Sequence, residues 1–381
     1  MKRRYCIFSA QFLPHMGGVE NYTYRLAKEL VKKGNEVTVV TSNVERVKSF
    51  EKLDGVTVLR VPCWNLMAGR FPVLKPDRVF WKMNRWLFQK KYDLVIVNTR
   101  FYVHSLYGLL FGRKKKIRTI FIEHGTSHMT VHQPILDCFE KVTEHLLTLV
   151  EKCFCKEFYG VSEACLEWLK HFHIEGKGAL YNAIDLEEVE NRLQNPVCSF
   201  RGRHQIPENA VVITFTGRLL KEKGILTLIQ VVDNINRQGE SVYLLIAGDG
   251  DEEKNVQEFA NENIIPLGRI SSEEVIALLK ESDVFCLPSD SEGMPTSVLE
   301  AVACKCFVVT TEKGGAKEIL PDKTYGMVIK RNDLVSVQNA LENAISDKEY
   351  RDTAVKKAYQ RLEDGFTWEK TAEKVMRLIE K

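Results

Sequence analysis

The sequence predicts an α/β protein with two Rossmann-like domains in tandem, each built on a parallel sheet. Three observations predict this class. The chain has 381 residues, more than a single hydrophobic core usually organises. Short apolar runs alternate with longer amphipathic stretches almost from end to end, the pattern of a parallel sheet covered on both faces by helices. A boundary falls near Tyr181-Asn182-Ala183-Ile184-Asp185, after which a polar stretch runs to Arg203.

In the first half the strand candidates are Tyr5–Ser9, Glu36–Thr41, Val56–Val61, Leu94–Asn98 and Ile117–Ile122, with helical patterns between them at Glu20–Lys33 and Phe101–Phe111. The second half repeats the logic with strands Val211–Thr216, Tyr243–Ala247, Ile264–Leu267, Val284–Leu287 and Phe307–Thr310, and helices Ile225–Asn236 and Ser272–Glu281. After Val284–Leu287, Pro295 sits where a helix begins, because its fixed φ suits a first turn and its missing N–H is not needed there. Helical spacing then runs through Val298, Leu299, Val302 and Ala303, so Glu292 lies in a strand-to-helix loop and Glu300 inside the helix. The last pattern, Thr367–Ile379, is an amphipathic helix led by a Thr cap, with Glu369 and Glu373 in its early turns.

Composition narrows the class. Hydrophobic content of 44% and charged content of 28% are those of a globular enzyme and exclude a disordered chain. The net charge is +3, but residues 1–180 hold 29 Lys and Arg against 17 Asp and Glu, and residues 181–381 hold 25 against 34. A basic first half facing something anionic and a drift between two solvated surfaces both fit that asymmetry. The ten cysteines form no framework: Cys153-Phe-Cys155 and Cys304-Lys-Cys306 have the wrong spacing for a zinc knuckle or a redox dithiol. Thiols in that number point to a reducing compartment, the cytoplasm. The Met-Lys-Arg-Arg start imitates a signal peptide, but the apolar run after it is cut by Gln11 and Pro14, which predicts a buried first strand. No stretch approaches the ~18 apolar residues of a membrane span.

Ligands of open parallel sheets bind beyond the carboxyl ends of the strands. After the first strand, Gly17 and Gly18 in Pro14-His-Met-Gly-Gly-Val-Glu20 let a ligand approach the backbone or make a tight turn; the spacing is not the dinucleotide G-x-G-x-x-G. His124 in Glu123-His-Gly125, with His128 and His132 nearby, is a donor or acceptor at a strand end, or a structural imidazole. Arg218 and Lys223 in Gly217-Arg-Leu-Leu-Lys-Glu-Lys-Gly224 offer a planar fork and a point charge to one diphosphate, or form a solvated basic turn. Asp249 and Asp251 in Gly248-Asp-Gly-Asp251 imitate a metal-binding D-x-D, but Gly-Asp-Gly is an ordinary turn and Asp251 suits a helix N-cap, so no metal is expected. Leu267-Gly268-Arg269-Ile270 closes the next strand, a position from which it could flank a base or ribose. Between Glu292 and Glu300, a helix N-terminus with free N–H groups is a seat for an anion. A carboxylate on each side of that seat fits a ligand with both phosphate and hydroxyl groups, such as a nucleotide sugar.

Taken together these residues resemble the retaining nucleotide-sugar glycosyltransferases of family 4, with the GT-B fold: two Rossmann-like domains whose parallel sheets face each other across a cleft. The resemblance covers almost the whole chain. It rests on Gly217-Arg218, Lys223-Gly224, Ala247-Gly-Asp-Gly250, Glu292-x7-Glu300 and Gly314-Gly315-Ala-Lys-Glu318. In the first half it rests on Gly17-Gly18-Val-Glu20, Glu123-His124-Gly125 and Asn182-Ala-Ile-Asp185. It implies an acceptor-side domain over residues 1–182 and a donor-binding domain over 183–365. The closing Phe366-Thr-Trp368-Glu looks like the family's last helix, about 366–381, which packs back on the first domain.

The resemblance also implies roles. Arg218 and Lys223 hold the diphosphate and stabilise the leaving nucleotide. Gly17 and Gly18 let the first loop close over it. Glu292 takes donor-sugar hydroxyls beside the backbone of Gly293, Met294 and Pro295, and Glu300 takes the ribose. His124 contacts the sugar near the reacting carbon, and Ile270 lies against the base. Gly217, Gly248, Thr296 and Ser297 complete the donor loops, and Glu20 belongs to the acceptor side. The implied reaction retains the anomeric configuration, needs no metal or other cofactor, and moves a hexose from a nucleotide diphosphate sugar, UDP-linked on family frequency. The expected acceptor is a hydroxyl of a glycan or polyprenyl-linked lipid in cell-surface polysaccharide or glycolipid synthesis. A 2-epimerase or phosphorylase on the same fold, and a non-catalytic binding subunit, are the alternatives. One departure concerns local geometry: after Glu300-Ala-Val-Ala-Cys the family usually has Gly and then Pro, where this chain has Lys305 and Phe307. Lys305 then has to adopt a left-handed conformation, or the helix ends differently.

Phe80, Trp81 and Trp86 are interleaved with Lys82, Arg85, Lys90 and Lys91, and a second basic run is Arg113-Lys-Lys-Lys116. The segment reads as a core-facing aromatic stripe with solvated lysines, or as a surface lying on an anionic membrane at the inner face. No nucleic-acid-binding module pattern is present.

Overall fold

The structure is a computed structural model that describes residues 2–15, 17–66, 71–128 and 134–380. His132 therefore lies outside the described residues. The chain divides into two compact units, one of Met1–Asn182 with Trp368–Lys381 and one of Ala183–Thr367.

The first unit runs β1 (Arg4–Phe8), α1 (Gly18–Lys32), β2 (Glu36–Ser42), β3 (Phe50–Leu53), β4 (Val56–Val61), β5 (Cys63–Leu66), β6 (Phe71–Leu74), α2 (Arg78–Gln89), β7 (Leu94–Asn98), α3 (Val103–Lys115), β8 (Thr119–Glu123), α4 (Pro134–Phe154), β9 (Phe158–Gly160) and α5 (Glu163–Lys170). Its sheet has the order β3-β4-β2-β1-β7-β8-β9, parallel except for the edge strand β3, while β5 and β6 pair apart as an antiparallel hairpin. Strands β2 and β7 are buried along nearly their whole length, as strands covered on both faces must be.

The second unit runs α6 (Leu186–Gln194), α7 (Phe200–Arg203), β10 (Val211–Thr216), α8 (Ile225–Arg237), β11 (Val242–Ala247), α9 (Glu253–Glu258), β12 (Ile264–Gly268), α10 (Ser272–Lys280), β13 (Val284–Leu287), α11 (Thr296–Ala303), β14 (Phe307–Thr311), α12 (Ala316–Ile319), β15 (Met327–Ile329), α13 (Leu334–Ser346) and α14 (Lys348–Gly365). Its sheet is wholly parallel, ordered β12-β11-β10-β13-β14-β15. Setting aside β3 and the hairpin, both units show the same doubly wound order, in which the chain builds outward from the first strand, returns, and builds the other way. The direction switches between β1 and β7 in one unit and between β10 and β13 in the other.

The last helix, α15 (Trp368–Arg377), belongs to the first unit. Buried Trp368 meets Tyr22 edge-on at 5.3 Å, Thr371 donates to the Tyr181 carbonyl at 2.9 Å, and Lys33 Nζ lies 3.0 Å from Glu369 and 3.5 Å from Glu373. None of the ten cysteines is in a disulfide. Among the described residues no helix is long and apolar enough to cross a membrane.

Several elements differ from the sequence expectation. Phe101 has φ +67°, which no helix accommodates, so α3 starts at Val103 rather than Phe101. Asp251 is not a cap: Glu252 occupies the N-cap of α9 with no side-chain bond. Pro295 is the N-cap of α11 rather than its first helical residue, and its carbonyl accepts the Val298 N–H at 3.2 Å. β8 extends to Glu123, so that carboxylate belongs to the strand end.

Lys305 takes the left-handed conformation at φ +62°. The Cys306 N–H reaches the Ala301 carbonyl at 2.9 Å and the Lys305 N–H reaches that of Val302 at 3.0 Å, the pattern that ends a helix at a left-handed residue. The Lys305 ammonium lies over the Tyr359 ring at 5.1 Å, which offsets part of the strain.

The strand-end turns of the second unit set the tightest backbone constraint. Gly248 has φ +148°, and a Cβ there would fall on the Gly217 carbonyl, whereas Gly268 has φ +66° with open space around it. Gly268→Ala is therefore expected to cost about 1 kcal/mol of left-handed strain, and Gly248→Ala about 3 kcal/mol because backbone must also move. Thermal melts should separate the two variants by ~2–4 °C per kcal/mol. Equal melting temperatures would contradict the account of this turn.

Candidate active site

The strand order switches direction between β10 and β13, the place where doubly wound sheets bind ligands, and the loops leaving these two strands carry Arg218, Lys223 and Glu292. Backbone bonds tie the two loops together: the Asp290 N–H donates to the Glu222 carbonyl at 2.7 Å. Lys223 ends a short 3-10 turn, Lys221–Lys223, that leads into α8. Its Nζ lies 2.6 Å from Glu292 Oε1, with both side chains largely withdrawn from solvent at 18% and 11% exposure. The Glu292 loop is held from the far side as well, since the Gly315 N–H donates to the Gly293 carbonyl at 2.8 Å. Thr216 Oγ1 and Ser289 Oγ, at the ends of the same two strands, are buried with no hydrogen-bond partner, although buried hydroxyls are normally satisfied.

The remaining expected donor residues fall on neighbouring strand ends. Gly217 and exposed Arg218 follow β10, and among the described residues no ion pair engages the Arg218 guanidinium. Gly248 follows β11, with its N–H donating to the Gly268 carbonyl at 2.8 Å. Half-buried Ile270 follows β12 and packs on the core of the unit. Met294 and Pro295 are buried, while Thr296, Ser297 and Glu300 are half-buried on α11. Asp249 and Asp251 are exposed, and Asp249 pairs with Arg269 at 4.0 Å.

In the first unit, Gly17 is the N-cap of α1 and Gly18 its first residue, and a Cβ on Gly18 would meet nothing within 4 Å. Gly17 has extended backbone, φ −148°, so neither position needs glycine for its conformation. Glu20, in the first turn, is buried, and burial raises its carboxyl pKa. His124 follows β8. Its Nε2 lies 3.2 Å from Asn98 Oδ1, Asn98 Nδ2 donates to Thr23 Oγ1 at 2.8 Å, and Thr23 Oγ1 donates to the Val19 carbonyl at 2.8 Å. This chain assigns the tautomer. Thr23 gives its proton to Val19, so it accepts from the Asn98 amide; the Asn98 oxygen then faces His124, whose Nε2 must carry the hydrogen. Burial lowers the His124 pKa to about 3, so the ring is neutral and its Nδ1 is an acceptor.

Trp81 and Trp86 lie on α2, a crossover helix rather than a strand-end loop. Trp81 is 57% exposed, whereas Trp86 is half-buried, edge-on to Phe50 at 5.3 Å with Lys90 over its ring. Phe80, Met83 and Leu87 face the core.

Sequence reasoning missed what supports His124. Glu123 Oε1 accepts the N–H groups of His124 and Gly125 at 3.0 and 2.8 Å. Its other oxygen takes Nε of Arg100, a fully buried guanidinium that also donates to Thr148 Oγ1 at 3.0 Å and Glu144 Oε1 at 3.1 Å and stacks on Phe172. Arg100 is thrown inward by left-handed neighbours, Thr99 and Phe101, both at φ +67°; for a β-branched threonine that is a costly conformation. Arg100 sits at a strand end, but nothing in its sequence context marks it as buried.

The second half of the chain, residues 199–361, matches the family described as glycosyl transferases group 1, and residues 16–188 match glycosyltransferase family 4. A protein of Methanocaldococcus jannaschii described as an uncharacterised glycosyltransferase is 24% identical over 100% of this chain and 99% of its own length. The GPI3 subunit of the Saccharomyces cerevisiae phosphatidylinositol N-acetylglucosaminyltransferase is 25% identical over 88% of this chain and 74% of its own. Among solved structures, sucrose-phosphate synthase from Thermosynechococcus elongatus superposes with a TM-score of 0.74 at 17% identity, over 99% of this chain and 98% of that one. HepE from Anabaena, solved with UDP and glucose, gives 0.72 at 16% identity over 99% of both chains.

Buried ionisable groups make the stability of the first unit depend on pH in two directions. His104 is enclosed, with its pKa lowered by burial to about 4. For it and for His124 the unfolded chain takes up protons below about pH 6.5 and the folded chain does not, so stability falls as pH drops from 6.5. Glu151 is buried, and burial raises its pKa to about 8. The folded state then holds a proton that the unfolded state has released above about pH 4.3, so this contribution weakens as pH rises toward 8. Glu151→Gln, which mimics the protonated form, is expected to raise the urea midpoint relative to the native chain at pH 8 more than at pH 5. A difference independent of pH would contradict this assignment.

Proposed function

The chain belongs to glycosyltransferase family 4, with a group 1 transferase unit as its second half and the GT-B type of fold, and on that premise we propose its reaction. It moves a hexose-type sugar from a nucleotide diphosphate sugar, carried on UDP, to a hydroxyl of a glycan or polyprenyl-linked acceptor in cell-surface polysaccharide or glycolipid synthesis. The observation that carries this reading is the Lys223–Glu292 contact of 2.6 Å at the strand-order switch, with two buried, unpartnered hydroxyls at the ends of the same two strands. An ammonium, a carboxylate and orphaned hydroxyls are the groups that a phosphorylated, polyhydroxylated ligand would satisfy together.

In the proposed complex Lys223 and Arg218 turn to the diphosphate and stabilise its charge as the glycosidic bond breaks. Glu292, released from Lys223, accepts hydrogen bonds from sugar hydroxyls. Gly293, Met294, Pro295, Thr296 and Ser297 offer backbone and hydroxyl contacts around it, and Glu300 takes the ribose. Gly217 and Gly248 keep the turns low, and Ile270 meets the base. Neutral His124 offers Nδ1 to a substrate hydroxyl, and open space at Gly18 allows close approach to the start of α1. No metal is expected at the donor site, where Lys223 and Arg218 supply the positive charge and exposed Asp249 pairs with Arg269 at 4.0 Å. Transfer retains configuration, with the acceptor attacking from the face that the diphosphate leaves and the phosphate taking its proton. The UDP donor is supported by the HepE complexes with UDP, glucose and UDP-glucose. A lipid acceptor is supported by the phosphatidylinositol in the name of the Saccharomyces cerevisiae relative.

Such an acceptor places the enzyme at the cytoplasmic face of a membrane. Exposed Trp64, Leu66, Val79 and Trp81 would seat on the bilayer, with Lys82 and Arg85 beside Trp81 on α2 drawing it to anionic lipid. Cosedimentation with phosphatidylglycerol vesicles is expected at low salt and is lost at high salt. Failure to bind at low salt would remove the membrane from the account.

Two measurements test the donor reading. In a thermal-shift panel of UDP, GDP, ADP and dTDP, UDP is expected to raise the melting temperature most, because a ligand bound only by the folded state stabilises it. Glu292→Ala is expected to keep the fold and lower kcat by roughly 10²–10³-fold, the loss typical of a group that acts in the transition state. Unchanged turnover in that variant would exclude Glu292 from the site, and an inverted product anomer by NMR would exclude retention.

A further inference from the structure

Three histidines of the first unit converge although no motif joins them. His128 follows the β8 loop, His145 lies on the outer face of α4, and His171 ends α5. A ring nitrogen of each lies within 4.8 Å of those of the other two. The ring centroids form a near-equilateral triangle with sides of 5.5, 5.1 and 5.1 Å. His128 is half-buried, and the other two are exposed. Trp168 stacks on His171 at 4.9 Å with a 4° tilt, and Phe172 packs edge-on against His128 and His171.

Glu144 prepares His128 for ligation. Its Oε2 lies 2.7 Å from His128 Nδ1, while its Oε1 accepts from Arg100. A carboxylate can only accept, so Nδ1 carries the proton and Nε2 presents a lone pair. A buried carboxylate behind an imidazole is the outer support that metal-ligating histidines have in general.

We propose that His128, His145 and His171 form a binding site for a first-row transition-metal dication of the zinc class, with water in the fourth position. Three neutral imidazoles suit Zn2+ and its neighbours and leave one tetrahedral position open. Rotation of the two exposed rings brings their nitrogens closer. The bond chain continues from the site through Glu144, Arg100 and Glu123 to the N–H groups of His124 and Gly125. A bound ion pins α4, α5 and the β8 loop together and holds Glu144, a positioning residue, against Arg100. The site lies outside the donor loops and takes no part in the expected metal-independent transfer.

The test uses the full chain without a polyhistidine tag, stripped by chelator and titrated with Co2+ and then Zn2+. One equivalent of Co2+ is expected to give the intense visible bands of a tetrahedral site, and Zn2+ to bleach them. His145→Ala and His171→Ala, at exposed positions that leave the fold intact, are each expected to weaken Zn2+ binding by more than the roughly 10–100-fold that losing an outer partner costs. Glu144→Gln is expected to fall within that 10–100-fold range; if it fails to fold, the two exposed variants decide. Hydrogen exchange at the His124 and Gly125 amides is expected to slow with Zn2+. Absence of a tetrahedral Co2+ spectrum, or equal Zn2+ affinity in the native chain and both alanine variants, overturns the proposal.

Discussion

The contact between the Lys223 ammonium and the Glu292 carboxylate is the interaction around which the second unit's strand-end loops are organised. Two opposite charges drawn partly out of water have to satisfy each other, because a desolvated charge left alone is expensive. The doubly wound order sets β10 beside β13, the Asp290–Glu222 backbone bond draws their loops together, and Gly315 holds Gly293 from behind. In the proposed reaction a diphosphate offers Lys223 a better anion while sugar hydroxyls offer Glu292 better donors. Ligand binding then exchanges one satisfied state for another instead of creating bare charge.

The first unit uses charge differently. Arg100 is fully enclosed and shared among Glu123, Glu144 and Thr148, so its role is to hold shape. Glu123 passes that rigidity to the backbone of His124 and Gly125, and Asn98 fixes the ring of His124 from the other side. The left-handed Thr99 and Phe101 are the conformational cost of turning Arg100 inward. A strained turn that delivers a buried cation behind a candidate substrate group is where strain is expected to persist, since the surrounding bonds over-determine it.

Much of this was legible in the sequence because parallel strands buried on both faces read as unbroken apolar runs. The long strands of both sheets were found with ends off by no more than a residue or two, and Arg218, Lys223 and Glu292 do fall in the loops following β10 and β13. Lys305 was read correctly as a residue forced into the left-handed region if the helix ended in the usual way. What escaped was short or inverted. β3, β5 and β6 are four-residue strands, mostly partly or fully exposed, and β9 and β15 span only three, too few to show a period. Helix α4 reverses the usual pattern, with Glu144, Thr148 and Glu151 inward and Val142, Leu146 and Leu149 outward, so hydrophobicity points to the wrong face. Phe101 looked helical from its apolar neighbours, and only tertiary bonding around Arg100 explains its φ. His128, His145 and His171 come from a loop and two helices, so nothing local could join them.

The most direct measurement of the central claim is a crystal structure of the chain with UDP bound. The account predicts the diphosphate at the carboxyl ends of β10 and β13, with Lys223 Nζ at hydrogen-bond distance, about 3 Å, from a phosphate oxygen and no longer on Glu292. A structure with UDP bound elsewhere and the Lys223–Glu292 contact undisturbed would contradict it.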